Sequence, residues 1–290
     1  MTEFWVDQAG SGAYMDMPSE DVTGHVARGG TILMWAIDGA SPLTDEPFTV
    51  FQNESNSGWF ARRLSECLKT RFVEQTFNPA QLREVIGELR AEFIQCSGCP
   101  VPDWSWPVAA AVMVEVSELD GRVRMEVHRY SDCFFATAQG TLEADVTKAR
   151  RMADAVSIGR WKPASGFSGK TLASLRERRA RQQNNEGTTA LTLNPESAMN
   201  ASAVLLHRER PLHVLVGSDG VSRLWESYAA MTISDAMSVV AREGVGGLIA
   251  ELRRFEACVV LPQKDEKPSD DACCIHLFIP GSIRSTCTKT

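Results

Sequence analysis

Thr31-Ile32-Leu33-Met34-Trp35-Ala36-Ile37-Asp38-Gly39 runs apolar from Ile32 to Ile37 and then stops on an acid. A continuous apolar run of this length, with Gly29-Gly30 behind it and Asp38-Gly39 ahead, reads as a strand covered on both faces that delivers a carboxylate to the edge of its sheet. Gly39 lets the chain turn sharply there, or lets its carbonyl approach a ligand closely. The pattern recurs in Leu212-His213-Val214-Leu215-Val216-Gly217-Ser218-Asp219-Gly220, again an apolar strand followed by Asp-Gly. A third acidic spot, Ser269-Asp270-Asp271, sits just before the apolar run Ala272 to Ile279. Acids at three strand ends, far apart in sequence, are what a site for a hard cation needs, because Mg²⁺ and Mn²⁺ take oxygen ligands and give up their hydration reluctantly. Asp-Gly is also ordinary turn chemistry. The acids alone leave both readings open.

Composition narrows the classes. At 290 residues and 43% hydrophobic, the chain is long enough for one large core, and the expectation is a single domain over residues 1–290. A net charge of -7 gives no basic footprint, which argues against a nucleic-acid partner. No apolar run reaches membrane-spanning length, and the first twenty residues lack a basic start followed by an apolar core. No membrane partner is expected, and the expected location is cytoplasmic. Cysteine usage agrees, since Cys67, Cys133, Cys258, Cys273, Cys274 and Cys287 have no framework spacing and several fall in apolar runs. Cys96-Ser97-Gly98-Cys99 has the spacing of half a zinc site or a redox pair. With no second CxxC and no nearby histidine it reads as a pair of loop thiols.

Along the chain, residues 1–19 suit an edge strand or an arm. After the Asp38 strand comes a polar, Pro-containing passage with a short strand expected at Phe48 to Phe51. Two amphipathic helices follow. The first carries Phe60, Leu64 and Leu68 on one face; the second opens at Asn78-Pro79, a cap followed by proline at the first helical position, and carries Leu82, Val85 or Ile86, Leu89 and Phe93. Cys96 to Pro107 reads as a loop whose Trp104 and Trp106 cover the core. Strands are expected at Ala109 to Val116, Arg124 to Tyr130 and Cys133 to Ala138, with a hairpin turn at Asp120-Gly121. Residues 140–200 turn helical and polar, a candidate insertion or flap. There Arg176, Arg178, Arg179 and Arg181 form either a solvated helix face or a surface for an anionic partner. Strands return at Ala203 to Leu206 and Leu212 to Ser218. A helix from Ser234 is interrupted at Gly244-Val245-Gly246-Gly247, and strands at Cys258 to Leu261 and Ala272 to Ile279 close the chain. Antiparallel strand groups with paired helices indicate an α+β fold in layers.

With these landmarks in order, the chain resembles the PP2C-like metal-dependent serine/threonine protein phosphatases of bacterial type, over nearly its whole length. Glu20-Asp21 resembles the Glu-Asp near that family's first strand, and Ala36-Ile37-Asp38-Gly39 its Asp-Gly strand end. Ser131-Asp132-Cys133 is similar to the family's Gly-Asp-Ser, Ser218-Asp219-Gly220 to its Ser-Asp-Gly, and Asp270-Asp271-Ala272-Cys273 to its closing acidic motif. The resemblance implies a four-layer α-β-β-α sandwich of two antiparallel sheets flanked by helix pairs, with two Mn²⁺ or Mg²⁺ at one end and a phosphorylated protein as partner. It further implies that Asp38 bridges both ions, that the Gly39 carbonyl binds one, that Asp219 and Asp270 complete the other, and that Glu20 and Asp21 serve the outer ion. Asp38, Asp219 and Asp270 would then be catalytic through a metal-activated water. The five histidines, in no HxxxH or triad-like setting, fit a reaction without a protein nucleophile; His128, His207, His213 and His276 read as strand residues.

The chain also departs from the family. Ala40-Ser41-Pro42 follows Asp-Gly where relatives often place His or Met, and Ala40 has no proton to give. Asp16, Met17, Pro18 and Ser19 stand where some relatives carry a phosphate-holding Arg. Ser131 replaces a glycine, and Arg223 stands four after Asp219 where many relatives place an accessory acid. Arg223 and Asp132 are therefore possible accessory or phosphate contacts. The alternative reading is a weakly active pseudo-phosphatase that binds a phosphoprotein or another partner.

Overall fold

In the computed structural model, which describes residues 4–13, 18–43, 47–119, 121–139, 169–258 and 269–281, the opening apolar run is strand β3 (Thr31–Gly39). It pairs antiparallel with β2 (Asp21–Arg28) on one side and β4 (Val108–Leu119) on the other. Leu33, Trp35 and Ile37 point to a core beneath helices, whereas Ile32, Met34 and Ala36 point to a second sheet. Both faces are covered, which is why the run does not alternate.

The first sheet runs in the order β2-β3-β4-β5-β8, with β5 (Arg122–Tyr130), β8 (Ser202–Arg208) and a short β7 (Leu191–Thr192) on the β4 edge. The second runs β1-β10-β9-β6, built from β1 (Trp5–Ser11), β6 (Phe134–Gln139), β9 (Leu212–Gly217) and β10 (Ala272–Ile279). Every pairing among the described residues is antiparallel. Helices α1 (Asn56–Arg71) and α2 (Pro79–Ser97) cover the first sheet. Helices α4 (Asp219–Glu226) and α5 (Ile233–Cys258) cover the second, so the layers are helix, sheet, sheet, helix, as the resemblance implies. Helix α3 (Gly169–Gln183) precedes β7.

The helix signals act where the sequence puts them. Asn78 accepts from the Gln81 amide at 2.9 Å and Pro79 opens α2, which buries Leu82, Val85, Ile86, Leu89 and Phe93. Helix α5 is broken at Gly244, whose φ of 75° and ψ of 176° lie outside helical geometry. Asp7 caps the second half by accepting from the Val245 amide at 2.7 Å. No described helix is long and apolar enough to cross a membrane.

Three expectations need correction. Phe48 to Phe51 is not a strand: the Asn56 side chain accepts from the Val50 amide at 2.8 Å and donates to the Phe48 carbonyl at 3.1 Å, taking the place of a ladder. Cys96 lies in the last turn of α2, not in a loop, although it and Cys99 are exposed free thiols as expected. Cys258 closes α5 and starts no strand; residues 259–261 lie outside the described residues. The described residues also leave out Asp16, Met17, Asp120, Cys287 and the first part of the expected flap, 140–168.

Trp35 is fully buried in the core under α1, and its indole N–H donates to the Ser65 hydroxyl at 2.9 Å. Ser65→Ala leaves that donor unsatisfied in an apolar setting and should lower the unfolding free energy by about 1–3 kcal/mol in a denaturant titration. An unchanged midpoint and slope would contradict this.

Candidate active site

The β2–β3 register sets Asp21 directly opposite Asp38. Strand alternation turns Asp38 to the same side as Ile32, Met34 and Ala36, so the pair lies at one end of the space between the sheets. From the second sheet, β9 ends at Gly217 and Ser218 caps α4, which makes Asp219 the first residue of that helix. The Ser218 hydroxyl accepts from the Cys273 amide at 3.0 Å and lies beside the Asp21 carboxylate, while the Ser218 amide donates to the Cys273 carbonyl at 3.0 Å. One serine thus ties the end of β9 to β10 beside the acids.

Two glycines permit this convergence. A Cβ on Gly220 would lie 1.9 Å from the Asp271 carbonyl oxygen, so only glycine lets the first turn of α4 rest on the 270–271 backbone. A Cβ on Gly39 would lie 2.8 Å from the Glu20 carbonyl oxygen and 3.0 Å from that of Ser57. The Gly39 amide donates to the same Glu20 carbonyl at 3.1 Å, which holds the start of β2 against the end of β3.

Burial, above all, pushes the Asp38 carboxyl well above the ordinary range, and the charges of Asp21 and Asp219 push it further. Asp21 is raised first by burial and then by Asp271, Asp270 and Asp219, against the Ser218 hydrogen bond. Asp219 is raised by burial, with Asp132 and Asp270 adding to the rise and Arg223 opposing it. Asp38 and Asp219 face each other closely enough that the pairing raises the first further and opposes the rise of the second. Beneath them lie the fully buried thiols of Cys133 and Cys273, also raised chiefly by burial.

No family model and no curated protein matches the sequence. Solved structures do. The chain is similar to the S. agalactiae serine/threonine phosphatase, with a TM-score of 0.53 and 8% identity over 96% of this chain and 100% of that one. It is also similar to the catalytic domain of the serine/threonine protein phosphatase PstP in complex with two manganese ions, with a TM-score of 0.51 and 11% identity over 96% of this chain and 98% of that one. The chain has the PP2C-type serine/threonine phosphatase fold.

Within this phosphatase fold the expected site residues are not equivalent. Asp21, Asp38 and Asp219 come together, and the charge of Asp270 reaches all three. The Asp270 carboxylate accepts from the Asp271 amide at 3.2 Å, and its carbonyl accepts from Arg253 at 2.8 Å. Glu20 sits to one side, with its carboxylate accepting from the Ser55 hydroxyl. Asp132 is exposed and follows Ser131, whose φ of 65° is one that a glycine adopts freely. Arg223 lies 4.0 Å from Glu256 and stacks at 4.9 Å over Tyr228. Asp271, given no role from sequence, clamps the entry to β2: it accepts from the Ala13 amide at 2.7 Å and the Glu20 amide at 2.5 Å.

Among the described residues no three acid, imidazole or thiol side chains stand ready to hold an ion as they are. The donor chemistry fits a hard divalent cation all the same. The converging side chains offer carboxylate oxygen, their charges oppose one another, and Oδ2 of Asp21 is buried without a partner.

The raised carboxyls have a consequence for stability. An acid whose folded pKa lies above its unfolded value of about 3.9 favours folding below that value, and the benefit is lost as pH rises through the folded pKa. In chelator at neutral pH, Asp38→Asn should therefore melt at or above the wild-type temperature, with the difference closing as pH falls toward about 4. A metal-free Asp38→Asn protein that melts below wild type at neutral pH would contradict the assignment.

Proposed function

We propose that the chain is a metal-dependent phosphatase that hydrolyses phosphoserine or phosphothreonine in proteins, with two Mn²⁺ or Mg²⁺ as cofactors. The observation that carries this reading is the buried, partnerless Oδ2 of Asp21 opposite Asp38, with Asp219 brought against Asp38 from the second sheet. Such a group tolerates full ionisation only when cations replace its protons. Asp38, the Gly39 carbonyl, Glu20, Asp21, Asp219 and Asp270 are the groups that would hold the ions. When bound, the ions would supply charge neutralisation for the phosphate and the Lewis acidity that makes water a nucleophile at neutral pH.

The chain's own residues prepare the site for that chemistry. Ser218 lies beside the Asp21 carboxylate and favours its charged form against the rise from burial. Asp271, holding the Glu20 amide, sets the β2 entry against β3. Cys133 and Cys273 form a floor of neutral thiols, because burial raises both, and a thiol nucleophile is therefore disfavoured. Histidines are engaged elsewhere: His213 with His276 at 2.9 Å and His128 with Glu126 at 3.2 Å. Ala40 has no proton to donate, so the leaving alkoxide takes its proton from water.

That alanine also favours the second reading, a weakly active phosphoprotein-binding module. Hydrolysis of an aryl phosphate with and without Mn²⁺ separates the two. The proposal expects Mn²⁺-dependent release, and a loss of at least about 100-fold in kcat for Asp38→Asn and Asp219→Asn with the fold intact. Folded wild-type protein with no metal-dependent turnover would favour the binding module.

A further inference from the structure

Helix α3 is docked by one side. Arg176, Arg179 and Gln183 recur at helical spacing and share that side. The Gln183 amide donates to the carbonyl of Pro107 at 2.9 Å, and the Arg176 guanidinium lies 4.1 Å over the Trp104 ring with its Nε buried and partnerless. Arg179 donates from Nη2 to the Ser41 carbonyl at 2.9 Å. Ser41 is two residues beyond Gly39, so this contact places Arg179 beside the strand end that carries Asp38. Arg181, on the exposed side, lies 3.7 Å from Glu186.

Arg179 is half-buried and makes no ion pair with a described carboxylate, and among the described residues nothing accepts from its Nε or Nη1. Burial lowers its pKa to about 10, with Glu20 pulling it back up and Arg178 opposing, so it stays cationic at neutral pH. A half-buried guanidinium with unused donors is costly unless an anion completes it. Two other arginines near the acids are held in place: Arg223 by Glu256 and Tyr228, Arg253 by Glu256, Ser269 and the Ser11 and Asp270 carbonyls.

We propose that Arg179 receives the phosphate of the substrate, a phosphomonoester dianion, at the rim of the acid cluster, with the Ser41 carbonyl holding one edge of the guanidinium so that the other edge faces the anion. The planar fork matches two phosphate oxygens, and it places positive charge where a dianion must pass carboxylates. This assignment rests on the phosphatase reading for the identity of the anion.

Arg179→Gln keeps a donor for the Ser41 carbonyl and removes the charge; Arg179→Lys keeps the charge without the fork. The measurements are calorimetric titration with inorganic phosphate in Mg²⁺, KM and kcat for an aryl phosphate, Mn²⁺ bound per chain, and melting temperature. Arg179→Gln should weaken phosphate and raise KM by about ten- to a hundredfold, the size of a lost charged hydrogen bond, with Arg179→Lys in between. Bound Mn²⁺ and melting temperature should hold. Unchanged phosphate affinity and KM in Arg179→Gln overturn the assignment, and a fall in melting temperature alone makes Arg179 a docking residue and overturns it too. If Asp38→Asn abolishes turnover while Arg179→Gln changes nothing, the phosphatase reading survives without Arg179. If neither wild type nor variant turns over but only wild type binds phosphate, Arg179 stands and the phosphatase reading falls.

Discussion

Two half-buried carboxylates face each other across an antiparallel ladder at one end of a sandwich. The Asp21–Asp38 pairing is the constraint on which the rest of this structure depends. Like charges directly opposed on neighbouring strands repel, and burial removes the water that would screen them. Left alone, such a pair is neutralised by taking up protons, which is the direction in which both groups are shifted. The fold does not relieve the repulsion by turning either side chain outward. It brings Asp219 and the charge of Asp270 to the same place instead.

Holding acids against their mutual repulsion requires stiff supports, and these are backbone devices on both sheets. The Glu20 carbonyl binds the Gly39 amide, Asp271 binds two amides at the entry to β2, and Ser218 joins β9 to β10 while its hydroxyl reaches Asp21. Gly220 allows the closest approach, bringing the positive end of the α4 dipole next to the acidic strand end. Behind these contacts lie three apolar clusters, one between the sheets and one under each helical layer. Cohesion is therefore supplied away from the charges, which sit at the rim where the sheets end.

Much of this was legible in the sequence because it is local. The unbroken Ile32–Ile37 run announces a strand covered twice, Asn78-Pro79 announces a helix start, and Asp38 and Asp219 lie where apolar runs stop. Non-local features were not legible. Phe48 to Phe51 has strand composition, but the Asn56 side chain meets its backbone first. Glu20 and Asp21 look interchangeable in sequence, and only the register puts Asp21 opposite Asp38 while Glu20 turns to Ser55. Asp271 reads as a second acid beside Asp270 until its two amide partners are known. The arginine cluster of α3 gives no sign that Arg179 belongs with Ser41, 138 residues earlier. Such contacts are set by tertiary packing, which single-residue patterns do not encode.

On the proposed function, these acids are gathered to be neutralised by cations and not only by protons. Anomalous diffraction from crystals equilibrated with Mn²⁺ tests it most directly. Two peaks about 3.5–4 Å apart are expected, with Asp38 in contact with both and Asp219 with one. Crystals at saturating Mn²⁺ with no ion in contact with Asp38 would contradict it.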